Sequence, residues 1–250
     1  MLHIKSILRP LRPASWAANV ARRRQRRAMV EFYAQFVHPG DLCFDVGANI
    51  GNRTEVFLEL GATVVAIEPQ PSCMEVLRKT FPGNPSVILV QQALGEAPGT
   101  AELMISNAST ISSMSKEWIN SVQDSGRFAG YRWDETIQVT VTTLDELIRR
   151  YGLPAFIKID VEGFEFQVVK GLTRPARSLS FEFVPEVIDR ALACLSHLSS
   201  LGSLEVNYSL GESMTLSLDT WVSAETVSQI LAALPDKNAF GDVYVRFSKM

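Results

Sequence analysis

A short glycine-rich segment, Asp45-Val46-Gly47-Ala48-Asn49-Ile50-Gly51, combines a carboxylate with residues that permit unusual backbone angles. Glycine, and to a smaller extent asparagine, tolerates positive φ, so a turn of this composition lets the backbone approach a ligand closely. The spacing is Asp-x-Gly-x-Asn-x-Gly, which differs from the G-x-G-x-x-G of dinucleotide oxidoreductases. A carboxylate beside the turn repels a pyrophosphate and attracts a cation. The segment therefore predicts a site for a cationic ligand, formed by Asp45, Gly47, Asn49 and Gly51.

Two further positions fit the same ligand site. Glu68 follows an apolar run and lies 21 residues after Gly47, where an acidic residue at the end of the next strand can accept the hydroxyls of a ribose. The following apolar run, Val87–Val90, leads into Gln91, Gln92 and Ala93. Residues at the end of this apolar run are suited to contact the edge of an adenine, so we include Ala93 among the predicted binding residues.

A later segment, Lys158-Ile159-Asp160-Val161-Glu162, alternates charged and apolar residues in what reads as a buried strand. Burial of charged side chains in such a strand costs free energy unless each charge is paired with an opposite one or takes part in binding or catalysis. Glu182, between two phenylalanines, adds a carboxylate to the next strand. We predict Asp160, Glu162 and Glu182 as the catalytic carboxylates. The alternatives are an internal lysine–carboxylate network and a divalent cation held by the three acids.

Residues 100–143 interrupt the pattern of the chain. Two runs with period-two alternation, Thr100–Ile105 and Ile137–Val141, predict an antiparallel pair. The long polar connection between them is typical of a lid or a binding element, although a plain surface insertion is the alternative. Its aromatic and basic side chains are suited to stack on a sugar or to hold an acidic group, and the predicted acceptor residues are Trp118, Arg127, Tyr131 and Trp133.

The elements that must position these residues are short apolar runs alternating with amphipathic stretches. Strands that are apolar throughout and separated by helices predict a parallel sheet covered on both faces. We therefore predict an α/β, Rossmann-like, doubly wound sheet of seven strands over residues 41–250, preceded by a basic helical segment over residues 1–40. The strands are expected at 42–46, 64–67, 87–90, 156–161, 179–184, 204–210 and 242–247.

Five motifs in this order resemble the FkbM-type family of S-adenosylmethionine-dependent methyltransferases. They are FDVGANIGN (44–52), AIEP (66–69), QALGE (92–96), VTTLDEL (141–147) and IKIDVEGFE (157–165), and the resemblance covers about residues 41–185. It implies the class I methyltransferase fold, in which the last of seven strands is antiparallel. It also implies S-adenosyl-L-methionine as cofactor and O-methylation, commonly of hydroxyls on sugars or natural products.

Carried over by position, the resemblance implies a role for each predicted site residue. Asp45, Gly47, Asn49 and Gly51 would bind the methionine part of the cofactor, Glu68 would hold the ribose, and Asp160 would face the methyl-transfer site. A catalytic base, if one is used, is then Asp160, Glu162 or Glu182, because the three histidines are poorly placed for this role. His3 is in the N-terminal segment, His38 precedes the first strand and His197 is in a C-terminal helix. A non-catalytic cofactor-binding protein of the same fold is the alternative. An NAD-type oxidoreductase is disfavoured by Asp45 and by the missing glycine motif.

Composition and charge limit the function further. With 250 residues, 46% of them hydrophobic, the chain can bury a single-domain core, and no run approaches the length of a membrane span. Three cysteines without a C-x-x-C pair indicate a reducing compartment and exclude a disulfide scaffold. The expectation is a cytoplasmic enzyme that acts on a small-molecule or glycan acceptor. The sequence does not define its oligomeric state.

The charge is unevenly distributed along the chain. The first 27 residues contain eight basic side chains and no acidic one, which leaves 16 basic against 27 acidic residues in the remainder. An acidic body disfavours nucleic acid as substrate. The basic N-terminal segment predicts a contact with a partner or with the inner surface of a membrane, with a solvated helix face and an organelle transit peptide as the alternatives.

Overall fold

The computed structural model describes residues 16–236 and 239–248. These residues form ten β-strands: β1 (Leu42–Val46), β2 (Thr63–Ile67), β3 (Val87–Val90), β4 (Ala93–Leu94), β5 (Gly99–Ile105), β6 (Glu135–Thr142), β7 (Phe156–Ile159), β8 (Ser178–Phe183), β9 (Leu204–Leu210) and β10 (Gly241–Phe247). They also form eight α-helices: α1 (Trp16–Tyr33), α2 (Asn52–Glu59), α3 (Pro71–Thr80), α4 (Lys116–Asp124), α5 (Leu144–Tyr151), α6 (Glu165–Lys170), α7 (Ile188–Leu201) and α8 (Ala224–Ala232).

Seven of the strands form the main sheet, in the order β3-β2-β1-β7-β8-β10-β9. The pairs β1–β2, β2–β3, β1–β7 and β7–β8 are parallel, whereas β10 runs antiparallel to both β8 and β9. The strand order reverses direction between β1 and β7, which is where open α/β sheets bind their ligands. The predicted Rossmann-like sheet with an antiparallel last strand is confirmed.

The two faces of the sheet are covered by different helices because successive side chains of a strand point to opposite sides. On one face, residues such as Phe44 and Ile157 pack in a core that includes side chains of α5 to α8. On the other, Cys43 and Phe156 pack with α1 and α2. Asp45 and Lys158 lie two residues further along their strands, so they share the α1–α2 side and are register neighbours.

The helix α1 is an integral part of this second core. Met29, Phe32 and Tyr33 are buried, and the Tyr33 ring packs edge-on against Phe57 of α2, with the ring centroids 5.2 Å apart. The predicted boundary between residues 1–40 and 41–250 stays a prediction, and residues 1–15 lie outside the described residues. The packing nevertheless shows that the last turns of α1 stabilise the sheet.

The segment at residues 99–142 forms a small second sheet in the order β4-β6-β5. The predicted antiparallel pair is present as β5 and β6, from Gly99–Val141 to Ile105–Glu135. Between these strands the chain forms α4, which begins at a Ser115 cap whose hydroxyl accepts a hydrogen bond from the Trp118 amide at 3.0 Å. We call residues 99–142 the insertion.

Two findings bear on the expected location of the chain. Among the described residues, no helix combines the length and the apolar composition that a bilayer crossing requires. The three cysteines, Cys43, Cys73 and Cys194, are reduced and buried. Burial raises the pKa of the Cys43 thiol to about 12, with a further contribution from the nearby Asp41 and Asp45.

Candidate functional site

A cavity of about 920 Å³ lies at the carboxyl ends of β1, β2, β7 and β8. This volume is at the upper end of the range for a single small-molecule site, so the cavity has room for more than one ligand. It brings together Asp45, Gly47, Asn49, Glu68, Ala93, Asp160, Glu162 and Glu182, all of which were predicted from the sequence. Gly51 is the exception, because it precedes α2 as its N-cap and does not line the cavity.

The turn after β1 is held by backbone contacts that only glycine permits. Gly47 has φ of +81°, and a Cβ atom at this position would lie 1.8 Å from the carbonyl oxygen of Asp160. The amides of Gly47 and Ala48 both donate to the carbonyl of Ile67, at 2.9 and 3.0 Å. The turn is therefore fixed simultaneously to the ends of β2 and β7.

Glu68 is oriented by two backbone amides. One carboxylate oxygen accepts from the Asn49 amide and the other from the Gln70 amide, each at 2.8 Å. Each oxygen keeps a further lone pair, so the carboxylate can also accept two hydroxyl groups. Burial raises the pKa of Glu68, although the amides partly offset this effect. The geometry fits a diol such as that of a ribose.

Asp45 places a nearly buried carboxylate at the floor of the cavity. Its Oδ2 accepts a hydrogen bond from the Thr54 hydroxyl at 2.5 Å. Burial raises the pKa of Asp45, and the Thr54 hydroxyl and the Lys158 ammonium lower it in part. A cationic ligand beside this carboxylate would be stabilised by its negative charge.

Three carboxylates that line the cavity lie close together, two from the segment after β7 and one from β8. Asp160, Glu162 and Glu182 each offer an oxygen, and these oxygens all lie within 4.8 Å of one another. We call these residues the acidic cluster. Burial, followed by the charges of neighbouring carboxylates, raises the pKa values of Glu162 and Glu182 well above the ordinary value. These two carboxylates therefore bind a proton more tightly than exposed glutamates do.

Lys158 lies beneath the acidic cluster and is almost completely buried. Its Nζ donates to Asp160 at 3.2 Å and to Asp242 at 2.9 Å. Burial alone lowers the pKa of a lysine, but the two carboxylates raise the pKa of Lys158 well above its ordinary value. Lys158 thus remains charged and fixes the orientation of Asp160. The lysine–carboxylate network that was an alternative for this strand is present alongside the acidic cluster.

The insertion contacts both sides of the cavity through a serine-rich segment. The Ser112 hydroxyl donates to the Gln70 side chain at 3.0 Å, and the Gln70 amide group donates to the Ser109 carbonyl at 3.0 Å. The Ser113 hydroxyl donates to the carbonyl of Glu162 at 2.6 Å. Gln70, Ser109 and Ser112 line the cavity, and we did not predict them as site residues. The only signal for the two serines was the polar run at 109–113, and Gln70 was marked only by its place directly after the AIEP motif.

The four predicted acceptor residues of the insertion do not line the cavity. Trp118 is completely buried, and its ring lies against Gly163, whose φ of +80° and missing side chain leave room for the indole. Trp133 donates from its Nε1 to the Ile111 carbonyl at 2.7 Å. The prediction that Trp118 stacks on an acceptor is therefore wrong, because the ring has a packing role and no access to solvent.

Arg127 and Tyr131 also lie away from the cavity. The Arg127 guanidinium pairs with the nearly buried Glu186 at 2.7 Å, and this pair fixes the end of α4 to the segment after β8. Tyr131 is exposed and packs edge-on against Phe128. Neither residue faces the acidic cluster, so the assignment of Arg127 and Tyr131 to the acceptor is not supported.

Part of the cavity wall is formed by arginines of the basic N-terminal segment, which we had assigned to a contact with a partner or with a membrane. Arg22, Arg23 and Arg26 of α1 line it, together with Arg53 of α2. The basic charge of the N-terminal segment is thus partly directed at the site itself. The sequence could not reveal this, because α1 precedes β1 without any motif that fixes its direction.

The sheet topology and the cavity at its strand ends define a Rossmann-like α/β protein with a polar site at the topological switch point. The model of the FkbM methyltransferase domain matches residues 45–195, which is more than half of the chain. The chain therefore belongs to the FkbM methyltransferase family, and the resemblance inferred from the motifs is confirmed. The matched domain is a methyltransferase domain, and its cofactor S-adenosylmethionine fits the two carboxylates Asp45 and Glu68.

A curated relative is similar to part of this chain. The hexuronic acid methyltransferase AglP of Haloferax volcanii is 25% identical over 166 residues, which cover 64% of this chain and 62% of that protein. The chain thus matches less than two thirds of the relative's length.

Solved structures with a similar fold include two methyltransferases. The precorrin-6y C5,15-methyltransferase of Geobacter metallireducens has a TM-score of 0.48 at 10% identity, with 89% of this chain and 87% of that chain covered. An O-methyltransferase of Bacillus cereus in complex with SAH has a TM-score of 0.43 at 10% identity, with 90% and 81% covered.

Proposed function

We propose that the protein is an O-methyltransferase that transfers a methyl group to a hydroxyl of a sugar, glycan, glycolipid or natural product. The observation that carries this proposal is the position of the acidic cluster, which shares one cavity with the predicted cofactor residues Asp45 and Glu68. A group that accepts a proton next to the cofactor site is what methylation of a hydroxyl requires. The relative named a hexuronic acid methyltransferase supports a sugar-like acceptor.

The cofactor residues hold the donor in a fixed position. S-adenosylmethionine supplies a methyl group already activated on a positively charged sulfur. Asp45 would stabilise positive charge at the floor of the cavity, and Glu68 would accept the ribose hydroxyls. The Gly47 turn brings the backbone close to the ligand without a side chain in the way. Because the donor is activated, alignment of the two reactants supplies much of the rate enhancement.

The acidic cluster would bind and deprotonate the acceptor hydroxyl. Glu162 and Glu182 have raised pKa values, which makes their carboxylates stronger bases than exposed glutamates. Asp160, held by Lys158 at 3.2 Å, would orient the hydroxyl toward the donor. A positioned base contributes about 10²–10⁴-fold to rate. The proton therefore moves from the acceptor oxygen to a carboxylate of this cluster.

The first test is cofactor choice, measured by titration calorimetry on folded protein. We expect S-adenosylmethionine and its demethylated product to bind, and NAD to bind at least about 100-fold more weakly, because Asp45 repels a pyrophosphate. Binding of NAD but not of S-adenosylmethionine would refute the methyltransferase proposal and favour the oxidoreductase.

The second test separates an enzyme from a non-catalytic binding protein. Transfer of radiolabelled methyl groups to a panel of hexoses and uronic acids is measured for wild type and for a Glu162→Gln, Glu182→Gln double variant. We expect the double variant to bind the cofactor normally and to lose transfer. Cofactor binding by wild type without transfer to any member of the panel would favour the binding protein.

A further inference from the structure

The backbone of Glu162 adopts a conformation that its residue type disfavours. Its φ is +54°, in the left-handed region that glycine adopts freely and that a glutamate adopts rarely. Such a conformation persists only where contacts with the surrounding structure determine it. Because φ also sets the direction of the Cα–Cβ bond, the contacts that hold the Glu162 backbone decide whether its carboxylate lines the cavity, as it does here.

Side chains from three parts of the chain supply the hydrogen bonds of residues 162 and 163. The Ser113 hydroxyl donates to the Glu162 carbonyl at 2.6 Å. The Arg190 guanidinium of α7 donates to the Gly163 carbonyl. The Gly163 amide donates to Oε1 of Glu165 at 3.2 Å. The position of Glu162 therefore depends on side chains, each of which a single substitution can remove.

Ser113 is itself held firmly in the insertion. It is 1% exposed, its amide donates to the Met104 carbonyl at 3.1 Å, and its carbonyl accepts from the Met104 amide at 2.9 Å. The Ser113 hydroxyl also accepts from the Ser115 amide at 2.9 Å. A hydroxyl has one proton to donate, and here that proton is directed to the Glu162 carbonyl. The insertion thus provides a fixed hydrogen-bond donor for the backbone of the acidic cluster.

The start of α4 encloses the same two residues. A Cβ atom on Gly163 would lie 2.3 Å from the Trp118 indole, so this ring packs directly on the glycine backbone. The Ser115 hydroxyl accepts from the Arg190 guanidinium at 2.7 Å, and the same guanidinium nitrogen bonds to the Gly163 carbonyl. The insertion and α7 therefore act together to hold the backbone that carries Glu162.

We propose that Ser113 is a positioning residue, whose hydrogen bond to the Glu162 carbonyl holds the Glu162 carboxylate beside Asp160 and Glu182. This inference rests on the proposed methyl transfer, in which the acidic cluster accepts the proton of the acceptor hydroxyl. Ser113 acts through Glu162 and does not contact the reactants, since it does not line the cavity.

The test compares two serines that make the same kind of hydrogen bond. Ser113→Ala removes the bond to Glu162, whereas Ser178→Ala removes a hydroxyl bond of 2.6 Å to the Ala155 carbonyl. Ser178 is also buried, begins β8 and does not line the cavity, so Ser178→Ala is the matched control. Single-turnover transfer of radiolabelled methyl groups is measured with the same panel of hexoses and uronic acids. Calorimetry gives the affinity for S-adenosylhomocysteine, and mass spectrometry gives amide hydrogen exchange.

We expect Ser113→Ala to lower the rate of methyl transfer and to loosen the backbone around Glu162. The rate should fall about tenfold, with a change in the Kd for S-adenosylhomocysteine of less than about twofold. Amide exchange in residues 160–166 should become about tenfold faster, because the local opening of this segment is no longer opposed by the Ser113 bond. In Ser178→Ala all three quantities should stay within about twofold of the wild type, since the removed bond is remote from the cavity.

A second pair of variants separates positioning of Glu162 from a general structural role. In the Glu162→Gln background Glu182 remains to accept a proton, so we expect slower but measurable transfer. If Ser113 acts through the Glu162 carboxylate, adding Ser113→Ala to Glu162→Gln should change the rate by less than about twofold. A general structural role would cost the same tenfold in both backgrounds.

Several results would overturn the proposal. Wild-type transfer by Ser113→Ala, with or without faster exchange, would show that this serine does not position the reactive carboxylate. Equal losses in Ser113→Ala and Ser178→Ala, or a loss that persists in the Glu162→Gln background, would assign Ser113 to general stability. Failure of the wild type to methylate any member of the panel would contradict the proposed function instead. Amide exchange would then still decide whether Ser113 holds the backbone of Glu162.

Discussion

Two parts of the cavity lining differ in how the hydrogen-bonding capacity of their polar groups is satisfied. We call the turn after β1, together with the end of β2, the rigid loop, and the segment after β7, together with the end of β8, the crowded loop. The turn after β1 and the end of β2 are joined by backbone hydrogen bonds, and both oxygens of Glu68 accept from main-chain amides. The segment after β7 and the end of β8 instead place the three carboxylates of the acidic cluster side by side, and Lys158 bonds to one of them, Asp160. The first loop is preorganised by the backbone, and the second holds carboxylates whose charges repel one another.

This difference suits the two tasks that the proposed methyl transfer requires. A cofactor that binds the same way in every turnover benefits from a rigid site, since little conformational entropy remains to be lost on binding. A group that takes a proton benefits from an environment that raises its pKa toward neutral. Rigid backbone geometry serves the first task, and crowding of like charges serves the second.

The strongest test of the rigid loop is Gly47→Ala. Its Cβ would lie 1.8 Å from the Asp160 carbonyl and its φ would have to stay positive, so the turn must move. We expect a loss of more than about 100-fold in affinity for S-adenosylmethionine and a drop of about 2–4 kcal/mol in the free energy of unfolding. Calorimetry and urea denaturation measure the two effects.

Gly83→Ala is the matched control for this substitution. Gly83 also has a positive φ, of +65°, but no atom lies within 4 Å of the added Cβ. The Gly83→Ala substitution should lower the free energy of unfolding by only about 1 kcal/mol and leave the affinity for S-adenosylmethionine unchanged. Equal effects of the two substitutions would show that backbone angle, and not the contact between the two loops, is what matters at Gly47.

The crowded loop is tested by Asp160→Asn. The asparagine oxygen can still accept from Lys158, so the position of the side chain is retained while its charge is removed. We expect kcat to fall about 10²–10³-fold, with a change in the Kd for S-adenosylmethionine of less than about threefold. Single-turnover methyl transfer gives the first quantity and calorimetry the second. A variant with full activity and weak cofactor binding would reverse the roles assigned to the two loops.

Glu68→Gln is the complementary change on the rigid side. A glutamine has one acceptor oxygen, so one of the amides of Asn49 and Gln70 would face an NH₂ group and lose its partner. We expect the Kd for S-adenosylmethionine to rise about 10–100-fold and kcat at saturation to change little. A fall in kcat without a change in Kd would contradict the assignment of Glu68 to the cofactor.

A pH-dependent effect on stability is expected for Glu165, which joins the crowded loop to α6. Its Oε1 accepts from the amides of Val161 and Gly163, and burial raises its pKa from 4.5 to about 7. A raised folded-state pKa means that the folded protein binds this proton more tightly, so its contribution to stability declines as pH rises from 4.5 to about 7.

The substitution Glu165→Gln keeps an acceptor for both amides and removes the titration. The stability of the variant relative to wild type should therefore increase by about 2–3 kcal/mol between pH 4.5 and pH 8, measured by urea denaturation. Glu75→Gln is the control, because the Lys79 ammonium lowers the pKa of this exposed glutamate and its effect has the opposite sign. A parallel pH profile for Glu165→Gln and wild type would refute the assignment.

The strands of the main sheet could be predicted closely because their apolar runs end at glycine or charged residues. The bounds of β1, β3 and β9 agree with the prediction to the residue, whereas β7 ends at Ile159, two residues early, because Asp160 begins the turn that approaches Gly47. Helices α4 and α5 were not predicted. Their starts depend on the caps Ser115 and Thr143, which are single residues within longer polar runs.

The cavity residues at the strand ends could be predicted for the same reason, since positive φ and strand-end position leave a direct trace in residue type. The parts of the lining that come from the insertion and from α1 could not. Trp118 and Trp133 have the composition of a binding surface, but α4 turns Trp118 inward onto Gly163. Arg22 and Arg23 looked like a solvated or membrane-facing charge run. Their place at the cavity depends on how α1 packs, which no local pattern encodes.

The buried cysteines have a practical consequence for following motion in solution. Cys43, Cys73 and Cys194 are at most 2% exposed and their pKa values are raised, so they react poorly with maleimide reagents. One cysteine introduced on the exposed side of α4 and another on α3 would therefore carry spin labels or fluorophores without removal of any native thiol. The distance between such labels would report directly whether the insertion moves relative to the sheet when the cofactor enters.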